Sequence, residues 1–278
     1  MNRSRTFMLM VALTVMFVLV GGAVGGRDGA VLAFLAAAAM NFFSYWFSDK
    51  LVLRRYRAAE ITAEDGSGLY TMVATLSQRA GLPMPKVYLV PEDTPNAFAT
   101  GRNPKNAAVA ATRGIMRILD RDELEGVMAH ELAHVKHRDI LTGTIAATFA
   151  GAIATLGQFA RFGVAGRTRN NNPLGMILIM VGAPLGAMLL RMAISRVREY
   201  AADRGGAEIC GNPLSLARAL GKLHQGARQI PISRRGNPAH ANMFIVNPFI
   251  GGLQKLFSTH PPMDERIRRL EAMAYGQQ

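Results

Sequence analysis

Two histidines four positions apart, His130 and His134, enclose Glu131 in the run His130-Glu131-Leu132-Ala133-His134. On an α-helix such residues stack one turn apart on one face, so both imidazoles can reach one metal ion. Glu131, on the adjoining flank, can reach a water at that ion. Zinc with a glutamate general base, hydrolysing peptide bonds, is the chemistry expected of this spacing. A pair of histidines on a polar helix face is the structural alternative, and a third ligand decides between the two. His137 lies two turns from His130, about 10 Å along the axis, too far to share one ion with bonds near ~2.1 Å. It is read as a surface or supporting residue. The position ten after the first histidine is Ile140, so no third histidine stands at that metalloprotease spacing. Better candidates lie in Ser195-Arg196-Val197-Arg198-Glu199-Tyr200-Ala201-Ala202-Asp203. There Glu199 and Asp203 are one helical turn apart and can face the first helix together. A carboxylate completing a two-histidine site, backed by a second acidic group that orients a ligand, is a recurring zinc arrangement. Arg196 and Arg198 beside them leave a solvated charged face as the competing reading of this segment.

The elements that must position these groups can also be read. Asp120 followed by Glu123 starts a helix in the manner of a capping box, and Leu124, Met128, Leu132 and Val135 recur at helical spacing, predicting a helix over 120–138. An earlier helical pattern runs through Leu69, Met72, Val73 and Leu76 and stops at Gly81 and Pro83. Residues 87–90, 97–100 and 107–111 read as short strands, the last two separated by Gly101, Asn103 and Pro104. A small antiparallel sheet is therefore expected just before the His-Glu helix. Residues 96–100 could pair with an extended substrate backbone as an added strand. The stretch 229–241, rich in Gln, Pro, Ser, Arg, Gly and Asn, reads as a loop.

Half of the 278 residues are hydrophobic and only 18% are charged, against roughly a quarter in an ordinary soluble domain. The apolar excess is concentrated in four stretches without Asp, Glu, Lys or Arg: residues 6–26, 29–48, 140–160 and 170–190. Each is about 20 residues, enough to cross a hydrocarbon core about 30 Å thick. Trp46 and Tyr45 stand near the end of the second, where amphipathic rings favour the headgroup boundary. A cleaved signal peptide is the other reading of the first, but its apolar run is too long and a second follows at once. The expected plan is an N-terminal transmembrane hairpin (1–58), a first part of the zinc domain (59–139), a second hydrophobic hairpin (140–194) and the rest of the zinc domain (195–278). The net charge of +13 includes Arg54, Arg55 and Arg57 just beyond the second span, where basic residues meet anionic headgroups. No nucleic-acid motif competes with that membrane reading. By the same rule Arg3, Arg5, Lys50 and Arg54 bracket a hairpin whose short turn holds Arg27 and Asp28, placing both its flanks in the cytoplasm. Arg161, Arg167 and Arg169 between the third and fourth segments pull against full spanning there. The single cysteine, Cys210, cannot form an internal disulfide.

The His-Glu pentapeptide, the block at 195–203, and Ser258-Thr259-His260-Pro261-Pro262 followed by Arg266-Ile267 together resemble the HtpX family of bacterial heat-shock membrane zinc proteases, related to the CAAX prenyl proteases. The resemblance spans the chain and includes Asn96-Ala97-Phe98-Ala99. It implies a mainly α membrane protein, with four hydrophobic helices and a gluzincin-like α+β metallopeptidase domain. It further implies one Zn2+ per chain held by His130, His134 and Glu199, and Glu131 as base. Asp203 would orient a ligand; His260 and Arg266 would help bind and stabilise the scissile carbonyl; Asn96, Ala97, Phe98 and Ala99 would contact substrate. Protein or peptide substrates, misfolded or damaged membrane proteins among them, and the lipid bilayer are the implied partners, at the bacterial inner membrane. Two alternatives differ in class. A site-2-type intramembrane protease would bury the His-Glu helix in lipid, which Asp120, Arg121, Asp122, Glu123, Lys136, Arg138 and Asp139 at its ends oppose. A membrane scaffold with a structural zinc would need a fourth protein ligand.

Overall fold

The computed structural model describes residues 2–143, 145, 196–229 and 261–276. Helix α1 (Asn2–Arg55) is broken at Gly25 and Gly26, where a φ of 60° at Gly26 lets the chain turn back on itself. The two arms are joined by polar contacts: the Asn41 side-chain amide donates to the Met10 carbonyl (3.3 Å) and to the Thr14 hydroxyl (2.9 Å). Such bonds hold helices together where hydrocarbon offers no hydrophobic drive. The Gly25–Phe47 arm, 23 residues, is long and apolar enough to cross a bilayer. The first arm is apolar over the shorter stretch Thr6–Leu19. Of the third and fourth apolar segments, only the start, residues 140–143 and 145, is described. There the Thr142 and Thr6 hydroxyls lie 2.7 Å apart. The remainder of both segments, and the loop expected at 229–241 beyond its first residue, lie outside the described residues.

The rest of α1 runs past the apolar stretch and meets a four-stranded sheet of β1 (Ala59–Ile61), β2 (Lys86–Val90), β3 (Ala97–Gly101) and β4 (Ala107–Thr112), in the order β1-β2-β4-β3. The sheet is mixed, which corrects the antiparallel expectation: β4 pairs parallel with β2 and antiparallel with β3. After the β3–β4 hairpin, β4 inserts between β2 and β3 because its run Ala-Ala-Val-Ala-Ala-Thr is buried at every position, and a strand covered on both faces belongs in the middle. Strand β1, three residues containing an exposed glutamate, carries too little pattern to be seen beforehand. β3 is left at one edge.

Side-chain alternation divides the sheet's two faces. Val87, Ala97, Val109 and Ala111 enter the main core with α2 (Leu69–Ala80) and α4 (Arg121–His137). Phe98, Ala108 and Ala110 enter a smaller cluster with Val52, Leu53 and Tyr56 from the end of α1. A short helix α3 (Arg113–Ile118) links β4 to α4. On the side of α4 away from the sheet pack α5 (Arg196–Cys210) and α6 (Pro213–Gln229), followed by α7 (Met263–Ala274).

Candidate active site and metal centre

Helix α4 begins with the capping box read from sequence. The Asp120 carboxylate accepts from the Glu123 N–H, and the Glu123 carboxylate accepts from the Asp120 N–H. Burial of Leu124, Val127, Met128, Leu132 and Val135 then fixes the helix's rotation, and so the direction of its histidines. Glu199 and Asp203 are supplied by α5, which crosses α4 at very short range. A Cβ added to Gly206 would sit 2.8 Å from both the N and the Cα of His130. Only a residue without a side chain permits that approach.

The crossing gathers three donors. His130 Nε2 and His134 Nε2 are 3.2 Å apart, and the Glu199 carboxylate oxygens lie 3.9 Å from the first and 3.7 Å from the second. Ligands of a tetrahedral zinc, at bonds of about 2.1 Å, are separated by about 3.4 Å. The three distances bracket that value. Charge points the same way: four carboxylates, Glu131, Asp139, Glu199 and Asp203, crowd this site, with the guanidinium of Arg266 against them. Burial opposes a charge on His134, yet Asp139, Glu199 and Glu131 outweigh it and push the imidazole up to about 10. That is a field for a cation. The donor set and its electrostatics therefore fit a zinc ion, and the described residues offer three ligands with no fourth, as in sites that keep a position for water or substrate.

Behind each ligand imidazole stands a carboxylate. His130 Nδ1 is 3.0 Å from Asp203 Oδ1. His134 Nδ1 is 3.1 Å and 3.2 Å from the two Asp139 oxygens. Such partners fix the tautomer and the ring plane. Asp203 was anticipated; Asp139 was not. Its placement depends on Arg138, whose left-handed conformation (φ 58°) ends α4 and turns the next residue back toward the last turn. The available signal was an acidic residue immediately past the helix end, five after His134.

Arg266 reaches this shell from α7. It is fully buried, its Nε donates to Asp203 Oδ2 (2.8 Å), its Nη2 donates to Asp203 Oδ1 (2.7 Å), and its Nη1 lies 3.7 Å from Glu199. Burial works against both charges of the pair, but each outweighs it for the other: Asp203 stays below the ordinary carboxylate range, and Arg266 is raised. Arg266, expected to help bind the scissile carbonyl, is thus held on Asp203 behind His130 and beside the ligand Glu199. His260 lies outside the described residues. His137 is exposed and sits beside Gly205 of α5.

Glu131 is buried on the sheet side of the site, where one of its oxygens accepts a hydrogen bond from the Ala99 N–H of β3 (2.9 Å). Burial raises its carboxyl above the usual range, with the two histidines pulling the other way. Since Phe98 and Thr100 stand opposite Ala110 and Ala108 while the Ala99 N–H turns away from β4, alternation puts the backbone groups of Ala97 and Ala99 on the open edge. Asn96, Ala97 and Phe98 are buried, and Ala99 is half-buried beside α4.

Residues 66–274 match the model of peptidase family M48. The chain is 57% identical to the "Protease HtpX homolog" of Syntrophotalea carbinolica over 98% of its length and 99% of that protein. It is 57% identical to the homolog so named in Ralstonia pickettii and 56% identical to that of Burkholderia cenocepacia, in each case over 98% of this chain and 97% of the other. Among solved structures, the crystal structure of S. mikatae Ste24p aligns with a TM-score of 0.55 at 16% identity, over 96% of this chain and 65% of that one. The chain thus spans just under two thirds of that protein, and the likeness is one of fold.

Proposed function

Because this chain belongs to peptidase family M48, we propose that it is a membrane-bound endopeptidase that hydrolyses peptide bonds in misfolded or damaged membrane proteins, with Glu131 as general base. That it is a zinc-dependent metalloprotease follows from the family and from the meeting of His130, His134 and Glu199. The observation that carries the finer reading is the Glu131 carboxylate, fixed between that triad and the open edge of β3 by its bond to the Ala99 N–H.

A zinc ion held by His130, His134 and Glu199 would supply Lewis acidity to a water and to the scissile carbonyl. Glu131 takes the proton of the attacking water and returns it to the departing amine. An extended substrate adds to β3 along Ala97 and Ala99, using main-chain bonds that favour conformation over side-chain identity. That breadth suits a protease of damaged proteins. Arg266 acts through others: it neutralises Asp203, which aligns His130, and it stands beside Glu199. His260 remains the proposed donor to the developing oxyanion.

The Gly25–Phe47 helix and the basic residues after it support a bilayer location with the active site on the cytoplasmic side of a bacterial inner membrane. Charges at both ends of α4, and the sheet packed along it, support a site outside the hydrocarbon. Full-length protein in detergent, assayed for metal content and for cleavage of an unfolded polypeptide, tests the reading. One zinc per chain, cleavage abolished by chelation and recovery on adding zinc are expected. Full zinc occupancy without hydrolysis, or hydrolysis that survives complete metal removal, would refute it.

A further inference from the structure

The substrate edge of the sheet is fastened to the membrane helix at two heights. Near the end of the apolar stretch, the Arg102 guanidinium carbon lies 4.6 Å from the centroid of the Trp46 ring, a cation–π pair. Farther along the helix, the Tyr56 and Phe98 rings are 5.3 Å apart, within the cluster that also holds Val52 and Leu53. From Trp46 to Tyr56 the helix rises about 15 Å. From Phe98 to Arg102 the strand advances about 13 Å. The near equality means that β3 lies alongside the emerging helix and runs antiparallel to it, toward the bilayer. Its far end, the turn carrying Arg102, reaches the level of Trp46, the aromatic residue at the close of the span.

This places the chemistry at a set height. Ala99, whose N–H bonds to Glu131, is three residues from Arg102 and so about 10 Å above the level of Trp46. A substrate whose own span packs against this protein is displaced sideways by about 10 Å, the spacing of packed helices. The path from the end of that span to the site is therefore about 10 to 20 Å, or about three to six extended residues. We propose that the pairing of α1 with β3 is a ruler that confines hydrolysis of membrane-anchored substrates to bonds within that distance of the bilayer surface. The proposal rests on the reading of this chain as a membrane-bound peptidase that takes substrate on β3.

The test uses full-length protein in vesicles of phosphatidylethanolamine and phosphatidylglycerol. Each substrate has one transmembrane helix followed by a long unstructured tail repeating one cleavable sequence, and cut positions are read by mass spectrometry. Cuts should cluster at about three to six residues from the end of the span, whichever copy of the repeat falls there. Trp46→Ala and Arg102→Ala should broaden or shift that distribution, with Arg102→Lys, which keeps a cation over the ring, closer to wild type. Cleavage of a soluble unfolded peptide by all three variants should stay within about twofold of wild type in kcat/KM. Cuts spread evenly along the tail by the wild-type protein, or variants that cut exclusively where wild type does, would overturn the ruler while leaving the peptidase intact. Failure of the wild type to cut either soluble or anchored substrate would instead remove the peptidase reading on which it rests.

Discussion

A ligand imidazole is only as well aimed as the group behind it, and here both are backed by carboxylates: His130 by Asp203 and His134 by Asp139. Replacing Asp139 by Asn keeps the shape and removes the charge. Zinc affinity, measured by competition with a chromophoric chelator, is expected to fall by about 10- to 100-fold, while the melting of the zinc-free protein stays unchanged. Equal affinity would reduce Asp139 to a helix-end residue. The histidines and Glu131 were legible in the sequence because one periodicity, 3.6 residues per turn, sets which groups share a helix face, whereas Glu199 stood out as the third ligand only through the family resemblance. Asp139 was not legible, since no spacing rule announces a left-handed Arg138. Nor do the partners of Arg266, which arrives from a separate helix and meets Asp203 through tertiary packing alone.

Among the elements, the crossing of α4 and α5 sets the distance between the histidines and Glu199. Gly206 sits at the closest point, facing His130 backbone, whereas a Cβ at neighbouring Gly205 would meet only side chains, Ala133 at 3.1 Å and the His137 ring at 3.2 Å. Gly206→Ala must push the helices apart by several tenths of an ångström, more than the tolerance of about 0.2 Å in a zinc site. Its zinc affinity should drop at least about tenfold, against a much smaller change for Gly205→Ala. Both substitutions raise intrinsic helix propensity by about 1 kcal/mol, so a selective loss in the first is a matter of distance. Titrating both variants with zinc decides it, and equal affinities would remove Gly206 from the positioning of Glu199. The helices themselves were readable: the capping box at Asp120 and Glu123 and the apolar rhythm of Leu69, Met72, Val73 and Leu76 each mark an element that formed. Strand pairing was less so. Alternation tells which face a residue takes, but the parallel pairing of β2 with β4 depends on which strand the helices bury deepest.

At the scale of the whole molecule, the charge-free stretches 6–26 and 29–48 fall on the two arms of α1, and the arm Gly25–Phe47 meets the length a crossing demands. Its continuation to Arg55 as a post against the sheet was hidden, because Val52, Leu53 and Tyr56 stand among Lys50, Arg54, Arg55 and Arg57 in what reads as a basic flank. A membrane helix, a sheet edge and a metal site thus form one continuous support, ending at the Ala99 N–H and the carboxylate it holds. In the proposed mechanism this carboxylate moves the proton in peptide hydrolysis. Glu131→Gln preserves shape, metal ligands and fold but cannot act as a base. Compared with wild type at equal zinc occupancy on one unfolded polypeptide, it should lose about 100- to 10,000-fold in kcat/KM. Activity within about tenfold of wild type, with zinc still bound, would contradict a general-base role for Glu131.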